Sequence, residues 1–523
     1  MRSKVFKNSK LYLVCLLVAV LFTALYSTST TPLLQNHWEF DSAFFILVGQ
    51  GMTKGMLPYK DFFDMKGPYL FFIEYIGQLI CYGRTGAFIV QNINLSISLY
   101  IVCKTSDLFS KRRVWLCRLV AIISVLLVPV YTYEGGNLTE EYCLPWILGS
   151  LCFCLKYFNE SEEKNSYKHS IWAAIFYGAA VGVNCFIRIT NAATIGAVLL
   201  TVFIVMLKKK ELKNAALNLA MVFAGFAGAF SVPCIFFAAK NMLGEMLDQV
   251  FFFGFAYSAE VSFTEKFFNV ISSFNFFLLL LLLPVTACFI YHERMYMKLL
   301  SIFSAILLFV AIIMGNAYFH YLNLFIPHVA LAVFIVYRNG GTVFKAKKNI
   351  LCILCFAVIF AFNAVRIVIG ASKAVFTVYS YVIAQPYGGS LDGVTTKLQS
   401  IPSVAKHIYT SEDNTDALDI ASNIPDEDKN SVYCFGDELW SRWYGVTDIM
   451  PAYKYMDWQS HYIELNPGLE QKIATWICAE GSTYIVTVKD DMVVSDEINR
   501  AIAENYSEKY SNRSYTLYRR NIF

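Results

Sequence analysis

Between residues 11 and 369 the chain returns repeatedly to apolar runs of the length a lipid bilayer demands, and this recurrence limits the fold more than any other feature. A helix needs about 20 predominantly apolar residues to cross the hydrocarbon core. Such runs stand at 11–30, 86–103, 114–132, 143–158, 170–187, 190–207, 215–238, 273–291, 298–314, 319–337 and 349–369. They predict a polytopic α-helical membrane protein of about 11–12 spans. Composition agrees: 16% of residues are charged, where a soluble domain has about a quarter. Most cysteines lie inside the apolar runs and read as small hydrophobes. No two C-x-x-C pairs stand at zinc spacing, so cysteine indicates no metal site. The first run follows Arg2, Lys4, Lys7 and Lys10. It reads as an uncleaved span rather than a signal peptide, because further spans follow and no clear A-x-A site stands after it.

Basic residues set the expected orientation. The stretch 69–83 is short and begins at Gly67-Pro68. If it crosses fully, every later basic loop falls outside, against the positive-inside rule. If it is only juxtamembrane, "SKRR", "NESEEKNSYKHS", "KKKELK", "YHERMYMK" and "YRNGGTVFKAKKN" all fall in the cytoplasm. The second reading is adopted: a plasma-membrane protein with a cytoplasmic N-terminus and a membrane part over 1–370. Its outer loops are then 31–85, 133–142 and 239–272. The loop 239–272 is rich in aromatics, as an amphipathic interfacial segment would be. Polar residues concentrate beyond Ser372, predicting a small extracytoplasmic α/β domain over 371–523. In it "SVYCFGD", "TYIVTVK" and "SYTLYRR" read as strands, and "GLEQKIATWICAEG" and "SDEINRAIAENY" as helices. Cys434 and Cys478 read as two buried free thiols, with a disulfide as the alternative.

Charges crowd the stretch after the first span, "HWEFDSAFFILVGQGMTKGMLPYKDFFDMKGPYLFF". Lys54 and Lys60 fit a solvated interfacial loop as well as a functional one. Asp41 is different, because it opens a helix-like apolar stretch in the interface. A carboxylate partly desolvated there has its charged form disfavoured, which suits a general base and burdens a bystander.

The order Asp41, then Pro58-Tyr59-Lys60-Asp61-Phe62, then Lys66-Gly67-Pro68 resembles the first extracytoplasmic loop of the GT-C glycosyltransferases. The likeness is to the bacterial relatives of protein O-mannosyltransferases and of the lipid A aminoarabinose transferase. In the latter a Glu stands directly before Lys-Pro-Pro. Here Met65 precedes Lys66 and Gly67 replaces the first proline, leaving Asp64 as the nearest acid. By motif the resemblance covers about 30 residues; by hydropathy it covers the membrane part.

The resemblance implies an inverting transfer of a sugar from a polyprenyl phosphate to an extracytoplasmic acceptor glycan, lipid or protein. The partners expected are that donor, the acceptor and the bilayer, with no nucleic acid and no cofactor. A departing phosphate is already a stable anion and needs counter-charge, which Lys66 supplies as a point charge. An acceptor hydroxyl must lose a proton, and Asp41 is the expected base. Attack opposite the phosphate needs no carboxylate nucleophile. Arg188 sits between two spans, where an unpaired cation is costly, and joins the expected phosphate group. His320 and Tyr321 match a His-Tyr pair common in the family, His320 toward phosphate and Tyr321 toward sugar. Glu140 and Glu141 either complement a helix dipole or contact sugar or acceptor without metal, and Tyr59, Asp61 and Asp64 are assigned to the same group.

Two other classes compete. A transporter or flippase of lipid-linked sugars would place ionisable residues in broken helices at mid-membrane, whereas here the acids gather in outer loops. A polysaccharide polymerase or ligase would be expected to use Arg and His in a large late loop, and this chain's late loop has few.

Overall fold

The computed structural model describes residues 2–33, 40–109, 114–315, 317–339, 414–436, 440–466, 468–489 and 495–521, with isolated positions besides. The expected span 349–369 and the start of the tail at 371–413 lie almost wholly outside them. Among the described residues eight helical stretches are long and apolar enough to cross a membrane. They are Asn8–Tyr26, Arg84–Ser106, Val114–Thr132, Ile171–Lys208, Leu212–Ala238, Phe263–Ile290, Met295–Ile313 and Phe319–Asn339. The chain is a multi-pass α-helical membrane protein with a small C-terminal sheet.

The stretch Ile171–Lys208 contains the two runs read separately at 170–187 and 190–207, while the run 143–158 falls in a helix outside these eight. Ile171–Lys208 is two segments rather than one rod. Arg188 is extended (φ −165°, ψ 117°) where the helix Ile171–Arg188 gives way to a short 3-10 turn. The chain just outside the two ends of Ile171–Lys208 meets again, as the backbone N–H of His169 donates to Oδ1 of Asn214, near the start of the helix Leu212–Ala238, at 2.7 Å. The chain therefore doubles back at Arg188. The expected run 143–158 lies within one helix, Thr139–Lys164, whose ends carry Glu140, Glu141 and Lys164. Its middle is mostly buried, so it packs as an inner helix.

Small residues let helices approach closely, which is how apolar helices associate where lipid removes the hydrophobic drive. Ile171–Arg188 lies along Leu212–Ala238. A Cβ on Gly178 would sit 1.9 Å from the Val222 carbonyl oxygen, and one on Gly225 would sit 2.0 Å from that of Ile175. Gly225→Leu is expected to cost about 1–3 kcal/mol through overpacking, read as a lower unfolding midpoint in detergent. An unchanged midpoint would mean the two backbones do not meet there.

The loop region after the first span holds two helices, Phe40–Thr53 and Pro68–Ile80. The second has 13 residues and is not among the stretches long enough to span.

The C-terminal sheet has the order β1-β2-β4-β3, with β1 Val432–Phe435, β2 Tyr484–Val488, β3 Tyr506–Ser511 and β4 Tyr515–Arg520. β1 and β2 are parallel; the other pairs are antiparallel. β3 is a strand the sequence reading did not anticipate, and the helix Asp496–Asn505 stops just before it. Its pattern is nearly all polar because it forms the sheet edge. Cys434 and Cys478 are both free, and Cys478 is exposed, which corrects the expectation of two buried thiols.

This C-terminal unit docks on the first loop. Phe63 inserts among Tyr455, Tyr462 and Phe253, with ring centroids 4.8, 4.9 and 4.9 Å away. Phe63 N–H donates to the Lys454 carbonyl at 3.1 Å. Lys54 reaches Asp448 at 3.0 Å, and Tyr82 donates to the same carboxylate at 2.6 Å.

Candidate active site

The residues from Tyr59 to Gly67 form a compact scaffold that presents Lys66. Tyr59 is buried, adopts φ +70°, and donates through its hydroxyl to the Lys66 carbonyl at 2.8 Å. A left-handed bulky residue stores strain, so the surroundings must hold it. Gln249 does so, donating to the Tyr59 carbonyl at 2.8 Å and accepting from Asp64 N–H at 3.3 Å. Asp61 accepts from Leu57 N–H at 2.7 Å and closes the preceding turn. Asp64 accepts from Lys66 N–H at 2.9 Å. Gly67 then packs against the end of the helix that carries Arg188: a Cβ there would sit 1.3 Å from the Phe186 carbonyl oxygen. Proline cannot fit that contact, which explains why Gly67 stands before Pro68.

Lys66 enters a cavity of about 810 Å³ also lined by Asp41, Asp64, Arg188, His320 and Tyr321. Asp41 lies in the first turn of Phe40–Thr53. Burial pulls the Lys66 ammonium down, yet the Asp41 and Asp64 carboxylates outweigh it and its pKa rises above the ordinary lysine value. Burial pushes the Asp64 carboxyl up, with Lys66 pulling it back. Lys66 therefore stays charged.

Arg188 is set by two partners. Its guanidinium pairs with Glu140 at 2.9 Å, with side chains 17% and 0% exposed, and it lies 3.4 Å from the centroid of the Tyr321 ring. Gly315 leaves the space it occupies. Glu140 thus acts through Arg188. Removing one partner of a buried ion pair typically costs about 3–5 kcal/mol, so Glu140→Gln is expected to lower the unfolding midpoint sharply. A midpoint within a degree of the parent would show the pair to be dispensable.

Glu141 is in different company. It accepts from the Tyr133 hydroxyl, from Gln91 at 2.8 Å and from Leu138 N–H at 3.1 Å. These bonds tie the helices Arg84–Ser106 and Thr139–Lys164 to each other and to Tyr133, which follows the short helix Pro129–Thr132. Tyr59, Asp61 and Glu141 therefore lie outside the cavity wall, and their hydrogen bonds hold the frame. Asp41, Asp64, Lys66, Arg188, His320 and Tyr321 share the wall itself.

Several wall residues escaped the sequence reading. Glu134 binds the His320 ring Nδ1 and also accepts from His320 N–H at 3.2 Å. It opens four consecutive residues with positive φ: Glu134 41°, Gly135 83°, Gly136 76° and Asn137 65°. The adjacent Gly-Gly was the available signal, since such a turn brings the preceding side chain round. Lys266 donates to the Ser258 carbonyl and to the Met314 carbonyl, the latter at 3.3 Å, bridging two wall segments. Asp457, Trp458 and His461 arrive from the C-terminal unit. Burial pushes the Asp457 carboxyl up to about 7, with Ser441 pulling it down.

A metal-ligand set also exists at the rim. Ligand atoms of Glu260, His461 and Glu464 lie within 4.8 Å of one another, with both carboxylates exposed. A divalent ion takes such donors; of the three, His461 lines the cavity and the two carboxylates stand outside its wall.

No protein-family model matches the chain, and no curated protein matches it in sequence. Solved structures do match in fold. ArnT from Cupriavidus metallidurans in the apo state aligns at 14% identity and a TM-score of 0.55, over 98% of each chain. The same protein bound to undecaprenyl phosphate aligns at 13% identity and a TM-score of 0.52, over 98% of this chain and 97% of that one. At such identity the likeness is one of fold, and the fold of this chain is that of the GT-C membrane proteins.

Proposed function

We propose that the chain is an inverting glycosyltransferase. It moves a hexosyl or pentosyl group from a polyprenyl-phosphate donor to a hydroxyl of an extracytoplasmic acceptor. The observation that carries this reading is the meeting of Asp41, Lys66 and Arg188 on one cavity wall. A carboxylate and two cations in one partly enclosed space are the groups this reaction asks for. The GT-C fold, shared with a protein solved with undecaprenyl phosphate bound, supports the donor class.

Lys66, with Arg188 and His320 beside it, balances the lipid phosphate and the charge that grows on it as the glycosidic bond breaks. Asp41 takes the proton of the attacking hydroxyl as the new bond forms at the opposite face of the anomeric carbon. Asp64 keeps Lys66 oriented through its backbone N–H. Tyr321 and Glu140 hold Arg188 in place. In this reading residues 1–370 are the membrane part and 371–523 an extracytoplasmic unit, with the N-terminus in the cytoplasm. Protease added outside sealed cells should then cleave the C-terminal unit.

Purified protein incubated with undecaprenyl-phosphate-linked hexoses and pentoses, together with cell-envelope glycans, lipids and proteins as acceptors, should release undecaprenyl phosphate from at least one of the donors and glycosylate an acceptor hydroxyl. Failure to turn over any of the panel, together with failure to bind undecaprenyl phosphate, would remove the proposal.

A further inference from the structure

The cavity has a second wall, contributed by the C-terminal unit, that the reaction outlined above does not use. Asp457 is 5% exposed and lines the cavity. Its Oδ1 accepts from Ser441 N–H at 2.9 Å, while Oδ2 has no hydrogen-bond partner among the described residues. Buried polar atoms are nearly always satisfied, so an orphaned one calls for an explanation. A donor supplied by a ligand would satisfy it. The next residue, Trp458, also lines the cavity and is only half-buried. It adopts φ +53°, a conformation an aromatic residue rarely takes, at the start of the helix Gln459–Leu465. Its ring lies 5.4 Å from that of His461, which leaves the indole as part of an aromatic rim.

We propose that Asp457 and Trp458 form a sugar-ring subsite, with the C-terminal unit thereby completing the binding cavity. The pairing follows from chemistry. One face of a pyranose is a patch of slightly positive C–H groups, which matches the negative face of an indole. Its edge carries hydroxyls, one of which donates to Asp457 Oδ2. The inference rests on the glycosyl-transfer reading, since it gives that site its sugar contacts. The ring can belong to the donor or to an acceptor glycan, and both present the same chemistry.

The test uses the full chain in detergent, with methyl glucopyranoside, methyl mannopyranoside and methyl arabinopyranoside as probes in saturation-transfer NMR. Ring protons of at least one probe should receive saturation. Trp458→Ala should reduce that signal at least fivefold, and Trp458→Phe should restore part of it. Asp457→Asn should also reduce it, while the carbonyl oxygen of Asn still accepts from Ser441 N–H and keeps the fold. Binding of undecaprenyl phosphate should stay within twofold in all three variants. Displacement of the probe by an undecaprenyl-phosphate-linked sugar assigns the subsite to the donor ring; co-binding assigns it to an acceptor ring. No saturation of any pyranoside, full signal in Trp458→Ala, or saturation of a Thr-containing tripeptide in place of the sugars would overturn the proposal. If the parent protein binds pyranosides but not undecaprenyl phosphate, the donor reading fails while the subsite stands.

Discussion

Asp41→Asn is expected to lower turnover about 10²–10⁴-fold, the usual contribution of a positioned general base, while binding of undecaprenyl phosphate is retained. The two arms follow from one geometry. Asn keeps the size of the side chain and the helix start at Phe40–Thr53, but it cannot take a proton. The acceptor hydroxyl then attacks without assistance. Asp41 also contributes to the charge balance of Lys66, so the variant leaves one acid, Asp64, against that ammonium. A modest tightening of lipid phosphate binding is therefore the expected side effect. Turnover measured with saturating donor separates the base from binding, and undiminished turnover would remove Asp41 from the chemistry.

Lys66→Met is expected to weaken undecaprenyl phosphate binding about 10–100-fold. A hydrogen bond to a charged group contributes about 1.5–3 kcal/mol, and each 1.4 kcal/mol is about tenfold in affinity. Turnover should fall as well, since the departing phosphate loses counter-charge that grows in value as the bond breaks. Lys66→Arg should not restore the parent. The scaffold from Tyr59 to Gly67 fixes the main chain at this point against Phe186, and a branched guanidinium is a poor substitute for a point charge in a fitted space. Equal affinity in Lys66→Met and the parent, by titration calorimetry in detergent, would place the phosphate elsewhere.

Much of the membrane architecture was legible because lipid permits so few solutions. A run such as 215–238 has little choice but a helix, and Leu212–Ala238 is one. The break at Arg188 was legible too, since a cation between two apolar runs marks a turn. Within the loop, the motif residues were visible as a group, but their separate jobs were not. Asp61 and Asp64 look alike in sequence. Only folding reveals that one caps a turn at Leu57 and the other faces the cavity beside Lys66. Glu140 and Glu141 are adjacent and diverge completely, one toward Arg188 and the other toward Tyr133 and Gln91, because successive helix positions point about 100° apart. Asp457 and Trp458 were beyond reach. They lie roughly 400 residues from Asp41, and no local pattern says which distant segment will close a cavity. β3 was missed because an edge strand tolerates the polar pattern "YSEKYS" that reads as helix or loop.

A structure of the protein with undecaprenyl phosphate tests the central claim most directly. The phosphate should lie within hydrogen-bond distance of Lys66 Nζ, on the Arg188 side of the cavity, with Asp41 facing the open space where a sugar and its acceptor would meet. A phosphate bound outside this cavity, or one within it that touches neither Lys66 nor Arg188, would contradict the account.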